Sequence, residues 1–177
     1  MRSVFAAFVD ESIRGSQYVL VATLVALDDR TRVESALRLI VRPHSRSHFN
    51  SDSRATRRLF LLGIRDLPVR ILVLTRRTSK GLPHHAVRKT MLEYLVEYSQ
   101  STGVELLVLE DLSSRREDEK ILQRSRRRDI PLRYEHISDA DAPILWVSDA
   151  VAWCHGRGGE WLPISHGIHT DVIQLGD

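Results

Sequence analysis

Three acidic positions fall where an apolar run stops or is interrupted. Asp10 closes VFAAFV at 4–9, Glu110 and Asp111 close the run that begins at 104, and Asp149 lies inside APILWVSDAVAWC at 142–154. Carboxylates drawn toward a protein interior are costly to desolvate, and they repel one another when they share a site. A divalent cation of the magnesium or manganese type removes that conflict, because it takes hard oxygen donors in near-octahedral array. Two such ions about 3.5 to 4 Å apart activate water and stabilise the leaving oxygen in phosphodiester cleavage. The plain alternative is that Asp10 and Asp111 cap turns or pair with arginines. Glu110 and Asp111 are neighbours, so they point to opposite faces of an ideal strand and need not serve one site. Asp111 is the first choice because it lies nearer the strand end, with Glu110 as its substitute or assistant. Glu11 is a secondary candidate, as are Glu93 and Glu97, one helical turn apart among Tyr94, Leu95 and Tyr98, which read as packing residues.

Around these acids the chain is basic, and the base is arginine. The formal charge is +3 and Lys80, Lys89 and Lys120 are the three lysines among 26 basic residues. Arginine presents a planar fork of donors that suits phosphate. Arg54, Arg57 and Arg58 follow His48, Arg76, Arg77 and Lys80 follow an apolar run, and Arg124, Arg126, Arg127 and Arg128 form the densest cluster. These groups suit a DNA or RNA backbone, though a solvated surface explains them nearly as well, and no motif for reading bases is present. His84, His85, His155, His166 and His169 have no metal-site spacing. GRGGE at 156–160 lacks the lysine and hydroxyl of a nucleotide-phosphate loop. The lone Cys154 reads as a buried sulfur.

The elements that must hold these residues can be read from periodicity. Residues 4–9 and 18–27 form an apolar hairpin across the polar turn ESIRGSQ, central in a sheet. Helices follow at 30–41 and 55–67 with a polar loop between them, then a strand at 69–75. Val87, Met91, Tyr94 or Leu95, and Tyr98 give 84–100 a helical face, Gly103 stops it, and 104–111 is the next buried strand. A charged surface helix at 113–128, a weaker strand at 132–137 and an amphipathic helix at 142–154 complete the pattern, and 156–177 reads as an irregular tail. The expectation is a single α/β domain, 1–177, built on an open mixed sheet covered by helices.

The 42% apolar content supports a substantial core in 177 residues. Apolar runs stay below the roughly 20 residues that span a bilayer. The first run is read as a buried strand rather than a signal peptide. One cysteine excludes an internal disulfide framework, and cytoplasmic residence with no membrane association is expected. The sequence fixes no oligomeric state; a homodimer through a sheet edge or the last amphipathic segment is compatible with it.

Four segments in this order, FVDES with YVLVATLV, then SRSHFNSDSRATRRLFLLGIRDLPVRILVL, then the strand ending LED, then APILWVSDAVAW, resemble the bacterial and phage family known as domain of unknown function 3800. The resemblance spans roughly 4–155. It implies a ribonuclease-H-like fold and a site centred on Asp10 and Asp149, with Asp111 or Glu110 between them. His48 and Arg58, which match the polar segment, would orient substrate or line the site; Arg54, from the neighbouring basic cluster, is a further substrate-binding candidate. The family's usual alanine before the last aspartate is Ser148 here, a small residue that keeps a tight helix contact. The implied activity is a divalent-metal-dependent nuclease or phosphodiester hydrolase; the alternative is a catalytically inactive nucleic-acid-binding or regulatory protein on the same fold.

Overall fold

A computed structural model describes residues 4–41, 49–78, 81–111, 114–165, 168 and 170–176. Strand β1 (Phe5–Arg14) and strand β2 (Gln17–Ala26) form an antiparallel hairpin, and their pairing runs through Ser12↔Val19, Ile13↔Tyr18 and Arg14↔Gln17. The segment expected as a polar turn is therefore mostly strand. The reversal needs only Gly15 and Ser16, with Gly15 at φ +55°, a left-handed conformation that glycine adopts without penalty. The polar residues of this extension are tolerated because they find partners off the strand, as shown below.

A short 3-10 turn at Leu27–Asp29 leads to helix α1 (Arg30–Ile40), and helix α2 (Arg54–Gly63) follows. Ser53 caps α2 by accepting the Thr56 amide at 3.1 Å. Strand β3 (Val69–Arg77), helix α3 (His84–Thr102) and strand β4 (Val104–Glu110) come next. Gly103 ends α3 in the left-handed conformation at φ +85°, as its position after the last periodic residue predicts. Helix α4 (Arg115–Ser125), strand β5 (Arg133–Ile137), helix α5 (Leu145–Arg157), helix α6 (Trp161–Ser165) and strand β6 (Thr170–Gln174) complete the order. The final segment is thus not an irregular tail: α6 packs near α5, and β6 pairs in parallel with β3. Its short, half-exposed strand carries too little alternation to be seen in sequence.

The six strands lie in the order β5-β4-β1-β2-β3-β6, with β2 alone running against the rest. The central hairpin is therefore buried on both faces, which explains why β2 is apolar along nearly its whole length. One face packs on α1, α2, α5 and α6 through Phe8, Val21, Phe60, Val151 and Trp161, and the other on α3 and α4 through Val9, Leu20, Met91 and Leu122. Helix α5 is not amphipathic: residues Leu145 to His155 are buried apart from Asp149, which is partly exposed. Among the described residues no helix is long and apolar enough to cross a membrane.

Candidate functional site

Two alternating patterns decide which acids meet. On β1, Ala6 and Phe8 face the α5 side and Ala7 and Val9 the α3 side; on β4, Leu106 and Val108 face α5 and Leu107 and Leu109 face α3. Continuing each strand by one residue sends Asp10 and Glu110 to the α5 side. The parallel register that pairs Val9 with Leu109 also sets these two side by side. Asp149 reaches the same place from the first turns of α5, and Asp139 comes from the turn after β5. Asp10, Glu11, Glu110, Asp139 and Asp149 line a cleft of about 220 Å³ at the carboxyl end of the sheet, walled by Leu145 and Trp146. Trp146 is tied in place by its indole N–H, which donates to the Asp139 carbonyl at 3.0 Å.

The electrostatics follow from this crowding. Burial pushes the Asp10 carboxyl well above the usual carboxylate range, the neighbouring charges of Asp149, Glu110 and Asp139 push the same way, and Arg88 opposes them. Asp10 Oδ1 accepts the Glu11 amide at 2.7 Å, and Asp149 Oδ2 accepts the Phe49 amide at 3.2 Å. Helix α5 is held over the strands by Ser148, whose hydroxyl donates to the Phe8 carbonyl at 2.7 Å and lies 2.7 Å from the Thr23 hydroxyl, all of it buried. Replacing Ser148 with Ala would leave the Thr23 hydroxyl without its partner, so we expect a loss of about 1–2 kcal/mol of unfolding free energy, measurable by urea titration.

The reverse face of the sheet holds a second polar network directly behind the cleft. Glu11 points there, where it takes hydrogen bonds from Tyr18 and Arg88. Arg88 also makes a two-pronged contact to Asp118, 2.9 Å in each prong, and Asp118 lies 3.7 Å from His136. Burial and the Asp118 charge raise the Tyr18 phenol above its usual range.

The candidates from sequence separate on this geometry. Asp10, Glu110 and Asp149 share the cleft. Asp111 does not line it: it falls on the opposite parity of β4, is exposed, and sits 3.6 Å from Arg115. Glu11 borders the cleft while its carboxylate is engaged behind the sheet. Glu93 and Glu97 lie on α3 beyond the other face, where they line a separate pocket of about 590 Å³ with Gln100, Arg124 and Arg127. Arg54 pairs with Glu160, and Arg58 is exposed on α2. His48 lies outside the described residues. The dense basic run at 124–128 precedes β5, whose first residue pairs with Leu106 near the start of β4; that places it at the end of the sheet away from the cleft. Cys154 is fully buried, with its thiol pushed up to about 12 chiefly by burial, so it is no nucleophile.

Sequence reasoning missed Asp139 and the Arg88 network. The signal for Asp139 was present: it is an acid just past the end of a strand, as Asp111 is. Arg88 gave none, because its role depends on α3 crossing behind β1.

The donor set suits a hard divalent cation in charge and atom type. As the side chains stand, no group of three or more His, Cys, Asp or Glu among the described residues is placed to hold one ion; the acids line the cleft without converging on a point.

No protein-family model and no curated protein matches the chain, so the resemblance to domain of unknown function 3800 rests on its motifs alone. Solved structures do match in shape. The chain is similar to ribonuclease HII from Archaeoglobus fulgidus, solved in complex with PCNA, at TM-score 0.53 and 19% identity over 86% of this chain and 71% of that one. It is also similar to Bst ribonuclease HIII, solved with Mn2+, at TM-score 0.54 and 15% identity over 85% of this chain and 51% of that one. The fold is α/β and ribonuclease-H-like, a mixed six-stranded sheet flanked by helices.

Proposed function

We propose that this chain is a divalent-metal-dependent nuclease acting on DNA or RNA, with Asp10, Glu110, Asp149 and Asp139 as its acidic centre. One observation carries the reading: four carboxylates from four separate places in the sequence line a single cleft, and Asp10 among them is half-buried and crowded by like charge. Folding gains nothing from that arrangement, whereas a magnesium or manganese ion would neutralise it. Similarity to a ribonuclease solved with Mn2+ supports the choice of ion. When bound, such an ion polarises a phosphate oxygen and lowers the pKa of a water molecule. The protein's own part is to hold the carboxylates on rigid elements: Asp10 and Glu110 on paired central strands, Asp149 on a helix packed on nearly every side. Arg14, whose guanidinium lies over Trp153 one turn along α5 from Asp149, would steer a phosphate backbone toward the cleft.

A catalytically inactive nucleic-acid-binding protein is the second reading, favoured by the acids lining the cleft without converging. The two separate in one experiment on single-stranded and double-stranded DNA and RNA and on a hybrid duplex, with magnesium, manganese or chelator. We expect metal-dependent cleavage that falls about 100-fold or more in Glu110→Gln and changes less than about twofold in Asp111→Asn. Salt-sensitive binding without cleavage in any metal would decide for the inactive reading.

A further inference from the structure

Arg57 reads in sequence as one more phosphate contact in a basic helix. Its surroundings say otherwise. Its Nε donates to the Phe49 carbonyl at 2.6 Å and its Nη2 to the Asn50 carbonyl at 2.7 Å. One face of the guanidinium lies over Trp153, 4.3 Å from the ring centroid. Two donors and a face are thus committed to the protein itself.

The segment so gripped is the one that touches the acidic centre. The Phe49 side chain is fully buried, edge-on to Trp153 at 5.2 Å and to Phe60 at 6.2 Å. Asn50 accepts the Trp153 indole N–H at 3.0 Å and the Arg14 guanidinium at 3.3 Å on the same side-chain oxygen. The Phe49 amide then donates to Asp149 Oδ2 at 3.2 Å. Trp153 follows Asp149 by four residues and so lies one turn along the same stripe of α5. The 49–50 segment is laid over that stripe and clipped at both ends, with the site aspartate at one and Arg57 stacked on the tryptophan at the other.

We propose that Arg57 is a positioning residue for Asp149: it fixes the 49–50 main chain so that the Phe49 amide sets the orientation of the Asp149 carboxylate toward the cleft. The proposal rests on the metal-site reading above for its consequence, but not for the contact itself. A lysine cannot replace the fork, since a point ammonium does not hold two carbonyls and a ring face together. Arg57→Lys should therefore behave as Arg57→Ala does, which a simple phosphate contact would not require.

The test is amide hydrogen exchange by NMR on the metal-free protein, with manganese affinity by calorimetry and metal-free duplex binding alongside. In both Arg57 variants the Phe49 amide should exchange at least about tenfold faster while Val21 and Ala22 in β2 stay protected, and manganese should bind about 10–100-fold more weakly. Duplex affinity without metal should change less than about twofold, with the same salt dependence. Phe49 exchange at the wild-type rate overturns the proposal. So does a fall in duplex affinity and salt slope with manganese binding intact, which would make Arg57 a phosphate contact. If the wild type binds no manganese, the metal reading fails, and the Phe49 exchange rates alone decide the link between Arg57 and Asp149. Should Arg57→Ala lose its fold, Arg57→Lys and the reciprocal Asp149→Ala carry the test, and the latter must release the Phe49 amide with Arg57 in place.

Discussion

Replacing Asp10 with Asn is expected to remove about 10³-fold or more of the metal-dependent turnover and, in the same protein, to raise the thermal midpoint at neutral pH. The two effects have one cause. The Asp10 carboxyl is held above the usual carboxylate range by burial and by the charges of Asp149, Glu110 and Asp139. A group whose folded pKa is raised favours the folded state while it is protonated. That contribution is complete below the ordinary value of about 4 and is lost as pH rises through the raised value. At neutral pH the wild type has therefore lost stability through Asp10 that Asn, with no proton to lose, retains. Thermal melts across pH should show the wild type losing stability from about pH 4 upward more steeply than Asp10→Asn. Manganese should raise the midpoint of the wild type and leave the variant nearly unmoved, because ligand binding to the folded state alone is stabilising. An Asn variant that melts lower than the wild type at neutral pH, or that keeps its turnover, would remove Asp10 from the centre.

Arg88→Ala should act on the fold. The Arg88 side chain is 13% exposed and Asp118 is 1% exposed, and Glu11 shares the same guanidinium. Removing the cation strands a buried carboxylate and weakens the hold on a second. The expected loss is about 3–5 kcal/mol in unfolding free energy, with little relief from added salt because the groups are shielded from solvent. Replacing the pair together, Arg88→Met with Asp118→Leu, should recover part of it, since the apolar pair avoids the desolvation of Arg88 and Asp118 while Glu11 still loses its guanidinium. Urea titrations of the single and double variants measure both numbers. A loss below about 1 kcal/mol in the single variant would mean that the network is solvated and structurally idle.

How much of this was legible without coordinates depended on the range of the interaction. The hairpin, the α3 crossover, the Gly103 stop and the open mixed sheet follow from short-range patterns in the chain. Asp10 and Asp149 were legible as acids misplaced in apolar runs. The preference for Asp111 over Glu110 was avoidable: Leu106, Val108 and Glu110 share a parity on β4, as Ala6, Phe8 and Asp10 do on β1, so alternation already pairs Glu110 with Asp10. Strand β6 was not legible, because five half-exposed residues become a strand only beside the edge of β3. Nor was the role of Arg57, which depends on a loop folding back to meet a helix about a hundred residues further on.

The two sides of β1 hold a last consequence. Asp10 and Glu11 are adjacent acids that serve networks on opposite faces of one strand, so charge alone does not distinguish the native register from one shifted by a single residue. What distinguishes them is volume, Phe8 against Ala7 and Val9, together with the two-residue reversal at Gly15 and Ser16 that counts the pairs from Arg14↔Gln17 downward. The strand is therefore intolerant of insertions in a graded way. One residue added between Glu11 and Arg14 exchanges the two acids between the networks and turns the core side chains over with them, whereas added length beyond Arg14 only extends the tip and leaves Asp10 where it stands.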